Sequence, residues 1–137
     1  MILENNQLIG ERYLLKYNLW IDNPHFYWVC LDTKLQREVV IHIVSINVDS
    51  IDSIEDNMKM AARLQHPNIV PIFDVSKSDG YIYSIQYFAE NLSLEQYHDL
   101  KFFKLLDIMR IVQQFAGAID FIHSQNLVHR HIRPVVI

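Results

Sequence analysis

Residues Glu38–Val44 read EVVIHIV, and five of the seven are valine or isoleucine. A β-branched run with almost no polar alternation is what a strand covered on both faces looks like. Its one interior polar residue is His42. In an apolar strand, a histidine is most simply a half-buried residue with a hydrogen-bond partner.

Upstream, Arg12–Leu19 and Phe26–Asp32 read as two further strands. Between them Trp20–His25, carrying Asn23-Pro24, reads as a turn, and polar Thr33–Arg37 makes a second turn. Downstream, a helix is predicted with Asp52 or Ser53 as its cap and Glu55 and Asp56 in its first turn. Ile54, Met58, Ala61, Ala62 and Leu64 approximate one face, and Pro67 stops it. Ile69–Val75 and Tyr81–Tyr87 read as two strands joined by the hairpin signal Ser78-Asp79-Gly80. Leu94–Leu100 reads as a short helix and Lys101–Gln125 as a long one. On the long helix Leu105, Ile108, Val112, Phe115, Ile119 and Ile122 form an apolar stripe. Strands first, one helix among them, then mainly helices, make an α+β order.

The chain has 137 residues but only three glycines, where an average composition of about 7% gives roughly ten. Scarce glycine, a single cysteine and abundant large apolar residues exclude collagen-like, disulfide-scaffold and disordered classes. The net charge of −4, without basic runs, is a poor match to phosphate backbones, so no nucleic-acid partner is expected. Cys30 cannot form an intrachain disulfide, which favours a reducing compartment. The N-terminal MILENNQLIGERY shows no secretory signal pattern, and no apolar run approaches a membrane span of about 20 residues. A soluble cytoplasmic protein with no membrane contact is the expectation.

Six segments in order resemble a protein kinase domain of the bacterial, eukaryotic-like Ser/Thr type. They are GERYLL from Gly10, LDTKLQREVVIHIV, AARLQHPNIVPIFDV, YIYSIQYF, IVQQFAGAIDFIHSQN and LVHRHIRP. The resemblance runs from about residue 8 to 137. It implies an N-lobe of five antiparallel strands plus the αC helix, with the hinge, over 8–88. The start of a helical C-lobe (the family's αD and αE) follows over 89–137, and the chain stops after the catalytic loop.

Against the family's motifs, the chemical residues are replaced. The three glycines of the phosphate loop, which let backbone close over ATP, fall on Trp20, Asp22 and His25. The lysine of V-A-I-K falls on His42, and the alanine roofing the adenine on Val40. The αC glutamate falls on Asn57, leaving neither half of the Lys–Glu pair. The catalytic aspartate falls on His131 and the Mg²⁺-binding asparagine on Val136, which has no oxygen donor. D-F-G, the activation segment and A-P-E lie outside the sequence. His129, Ala61 and Ile72, which match packing positions of the family, persist. For His42, a replacement phosphate contact is the alternative to a satisfied half-buried residue.

The expectation is therefore a non-catalytic, pseudokinase-like binding or regulatory module with no cofactor and no metal. His123, His129 and His131 do not make a convincing metal site. Two alternatives stay open. One is nucleotide binding without chemistry in a residual cleft of Val40, His42, Ile85, Gln86, Tyr87 and Phe88. The other is that the chain is the N-terminal part of a longer kinase-family protein. The apolar stripe from Leu105 to Ile122 needs a cover, so a protein partner or a homo-oligomer is expected there. Trp20 and His25, if exposed at the loop tip, would offer a second contact surface.

Overall fold

The computed structural model describes residues 2–45, 51–78, 80–89 and 104–125. Strands β1 (Leu8–Ile9), β2 (Tyr13–Asp22), β3 (His25–Asp32) and β4 (Arg37–Ser45) come first. Helix α1 (Ile51–Ala62), β5 (Ile72–Ser78), β6 (Tyr81–Gln86) and α2 (Leu105–Ser124) follow. The α+β order is as expected, with six strands in the sheet rather than five. The extra strand, β1, is a two-residue piece paired with Tyr13 and Leu14, too short to leave a periodic signal.

The sheet order is β1-β2-β3-β4-β6-β5, antiparallel throughout. Register fixes its two faces, because side chains alternate along a strand. Val39, Ile41 and Ile43 point inward with Trp28, Cys30, Tyr13, Leu15, Tyr83 and Ile85, and this cluster is the main core. Val40, His42 and Val44 point to the outer face, opposite Val29, Tyr27 and His25 of β3. The EVVIHIV strand is thus covered on both faces, as its composition requires.

Helix α1 lies on that outer face, where Met58 and Ile54 pack with Val44, Ile82 and Val75. It begins at Ile51, so Asp52 sits inside the first turn rather than serving as cap, and Asp52 is that turn's acidic residue. After Ala62 the chain turns at His66–Ile69, where the His66 ring nitrogen accepts the Asn68 N–H at 3.1 Å. Pro71 then delays β5 to Ile72, three residues later than the sequence reading.

Two hairpins depart from the reading. The strands flanking Asn23-Pro24 run on to Asp22 and resume at His25, so the turn has two residues instead of six. Ser78 pairs with Tyr81, and Gly80 takes φ +81°, the left-handed value that glycine tolerates at a turn.

The chain divides into two compact units, Met1–Leu64 with Val70–Phe88, and Gln65–Ile69 with Ala89–Ile137. In the second, the Lys104 N–H donates to the Asp107 carboxylate at 3.3 Å at the start of α2. The His66 ring packs against Phe121 with centroids 5.2 Å apart. The predicted helix 94–100, the start of the long helix at 101–103 and the terminal segment with His129, His131 and Val136 lie outside the described residues. Among the described residues, no helix is long and apolar enough to cross a membrane.

Candidate functional site

The outer face of the sheet gathers most of the replaced positions. The β2–β3 hairpin sets Trp20 opposite Tyr27 and Asp22 opposite His25. Strand β4 sets His42 opposite Tyr27 on one side and Ser84 on the other. Trp20, Tyr27, His42 and His25 then form a continuous row of rings. Trp20 and Tyr27 have centroids 5.2 Å apart, and Tyr27 lies flat on His42 at 4.2 Å with planes 2° apart. The His25 Nδ1 and His42 Nε2 atoms are 3.0 Å apart, a hydrogen bond. Their ring planes differ by 23° and the centroids stand 5.2 Å apart. That separation is nearly the bond plus the two ring radii, so the rings meet edge to edge and the bond runs nearly in line with both.

Burial drives the His42 pKa down to about 3, with a smaller push from His25. At neutral pH this imidazole is uncharged. Burial also raises the Tyr27 pKa, with Asp22 adding to it. The uncharged His42 ring thus stands at the position where the resemblance implies a lysine. Two histidines alone do not hold a metal, and no group of three or more metal-ligating side chains occurs among the described residues.

Helix α1 is anchored away from this row. Asn57 is exposed. The neighbouring acid, Glu55, instead bonds Lys59 one turn on at 2.7 Å and pairs with Lys77 of β5. These two lysines hold the Glu55 carboxyl below its ordinary range. Glu55 is therefore committed to Lys59 and to Lys77 at the sheet edge.

The other expected residues divide. Val40 is buried opposite Val29 and Gln86. Ile85 is a correction: it pairs with Ile41 and lies in the inner core, 2% exposed, so alternation gives the outer face Ser84 and Gln86 instead. The Tyr87 side chain is exposed, while its N–H donates to the Pro71 carbonyl at 3.0 Å, and Phe88 is half-buried. Trp20 and His25 are half-buried against Tyr27 and His42 rather than exposed at a loop tip. On α2, Leu105, Ile108 and Val112 are exposed, and Phe115, Ile119 and Ile122 are half-buried. Leu106 and Met109, outside the expected stripe, are exposed too.

Neither Tyr27 nor Ser84 was singled out from the sequence. The signal for Tyr27 was present: with Trp28 committed to the core, alternation sends Tyr27 to the His42 face. The partner of Arg12 was also missed. Arg12 grips the buried Asp32 through two hydrogen bonds of 2.8 and 2.7 Å, which link the start of β2 to the end of β3.

Residues 29–137 match the protein kinase domain family. Serine/threonine-protein kinase PrkC of Bacillus subtilis is 30% identical over 108 residues, covering 75% of this chain and 17% of its own length. The putative serine/threonine-protein kinase R436 of Acanthamoeba polyphaga mimivirus is 32% identical over 111 residues, 75% of this chain and 40% of that protein. The fold matches a crystal structure of the Mycobacterium tuberculosis PknI kinase domain with a TM-score of 0.78 at 19% identity, over 98% of this chain and 56% of that one. The chain thus spans less than half of those two relatives and just over half of a solved kinase domain. It belongs to the protein kinase domain family.

Proposed function

We propose that this chain is a non-catalytic member of the family, acting as a protein-interaction or regulatory module. The observation that carries this is His42. A neutral imidazole, bonded to His25 and stacked under Tyr27, stands where the family places its phosphate-binding lysine. Phosphoryl transfer needs phosphates, metal and base positioned together. The sequence substitutes His42 and Asn57 for the ion pair, His131 for the base and Val136 for a metal ligand. Those substitutions support a role in contact rather than chemistry. The contact proposed is self-association through α2, whose exposed Leu105, Ile108 and Val112 continue the half-buried Phe115, Ile119 and Ile122.

A second reading has its own observation. The chain covers 56% of a solved kinase domain, as an N-terminal part of a longer kinase-family protein would. Nucleotide binding without chemistry is less favoured, because Val40 is bulky and the Tyr87 N–H is already bonded to Pro71.

The purified chain is expected to transfer no phosphate from Mg²⁺-ATP to a generic Ser/Thr substrate. Millimolar ATP is expected to leave its Tm unchanged, since a ligand stabilises only what it binds. Transfer that is lost on His131→Ala overturns the reading. Sedimentation at micromolar concentration tests the contact: dimers that weaken on Val112→Glu support it, and a monodisperse monomer removes it.

A further inference from the structure

We propose that the His25–His42 bond is a latch that holds the β2–β3 hairpin closed onto β4. Among the described elements, the hairpin strands β2 and β3 meet β1, β4 and each other. Besides the strand ladder, the hairpin's ties to β4 include three among the described residues. The first is the imidazole bond of 3.0 Å. Stacking of Tyr27 on His42 at 4.2 Å is the second. The third is the Ser45 N–H, which donates to the Pro24 carbonyl at 3.1 Å.

Of these, the imidazole bond is the one with switch-like chemistry. It is a diagonal contact: His25 pairs in register with Val44, and reaches across to His42 on the same face. Its near-linear geometry needs one proton between two nitrogens, so one ring donates and the other accepts. Neither ring can turn away without stranding a half-buried nitrogen, and the flat Tyr27 ring fixes the orientation of His42. The two histidines therefore act as a unit. In the family this hairpin is the loop that closes over a ligand; here side chains of the chain itself keep it down. The inference holds whether or not the chain transfers phosphate.

Hydrogen exchange on the whole chain tests it, using His25→Phe, His42→Phe and the double variant. Phenylalanine keeps a flat ring but removes both nitrogens. Each single variant is expected to speed exchange of the hairpin amides by about fivefold, the worth of one neutral hydrogen bond. The double variant is expected to exchange no faster than either single. Unchanged exchange in the singles overturns the latch, and so do single effects that multiply in the double. Should His42→Phe fail to fold, His25→Phe at the half-buried tip decides alone: hairpin amides as slow as in the parent chain overturn it. Long-range proton–nitrogen spectra of the parent give a second reading, with one shared proton expected and two independent ring tautomers contradicting it.

Discussion

Arg12 and Asp32 join the start of β2 to the end of β3 through a two-pronged ion pair, with Nε and Nη2 at 2.8 and 2.7 Å from the carboxylate. The Asp32 side chain is 2% exposed and Arg12 31%. Asp32 also accepts the Lys34 and Leu35 N–H groups, at 3.0 and 3.3 Å, and so shapes the turn into β4. Arg12, then the backbone donors, hold its carboxyl down at about 2.

Removing this carboxylate leaves a turn unsupported and a cation unpaired. Asp32→Ala is expected to cost about 2 kcal/mol in urea unfolding, below the range for a fully buried pair because Arg12 reaches water. Because the folded pKa lies below the ordinary 3.8, the stabilisation is complete above about pH 4 and disappears as the pH falls towards 2. The variant should lack that acid-sensitive component.

His42 makes stability depend on pH over a different window. Its folded pKa, about 3, lies below the ordinary 6.5, so the unfolded chain binds more protons between those values. Stability is expected to fall as the pH drops below about 6.5, by about 2 kcal/mol at pH 5. Unfolding curves at pH 7 and pH 5 check it, and His42→Phe should flatten the difference.

Gly10 occupies the left-handed region at φ +57°, and a Cβ there would overlap the hydroxyl of Tyr83. Gly10→Ala combines backbone strain with a clash against a core tyrosine. A loss of about 2–3 kcal/mol is expected from thermal or urea unfolding. A change near zero would show that Tyr83 gives way freely.

Glu55 fastens α1 to Lys77 of β5. Both groups touch water, so the pair is screened and modest. Glu55→Gln should lower the Tm by a few degrees at low salt and by nothing measurable in 1 M salt. An equal drop at both salt concentrations would mean that the carboxylate acts through packing.

The strand elements were legible because their signals are local. EVVIHIV carries its burial in its composition, and Gly80, at φ +81°, marks the hairpin turn. Boundaries were less legible. The stretch Trp20–His25 contains turn formers, yet pairing with β3 extends β2 through Asp22, because ladder hydrogen bonds outweigh weak local preference. Ile85 was misplaced for a similar reason. Its neighbours are all plausible on either face, and only the pairing of Val40 with Gln86 decides which side it takes.

By itself the sequence determined the family, through six segments in order, and the identity of what stands at each motif position. Histidine at position 42 and asparagine at 57 are facts of covalent structure, which no folding alters. Tertiary structure alone decided what those residues do. It paired His42 with His25, seventeen positions away, and turned Glu55 towards Lys77. Such contacts depend on strand register and side-chain direction, which are set when the whole sheet closes.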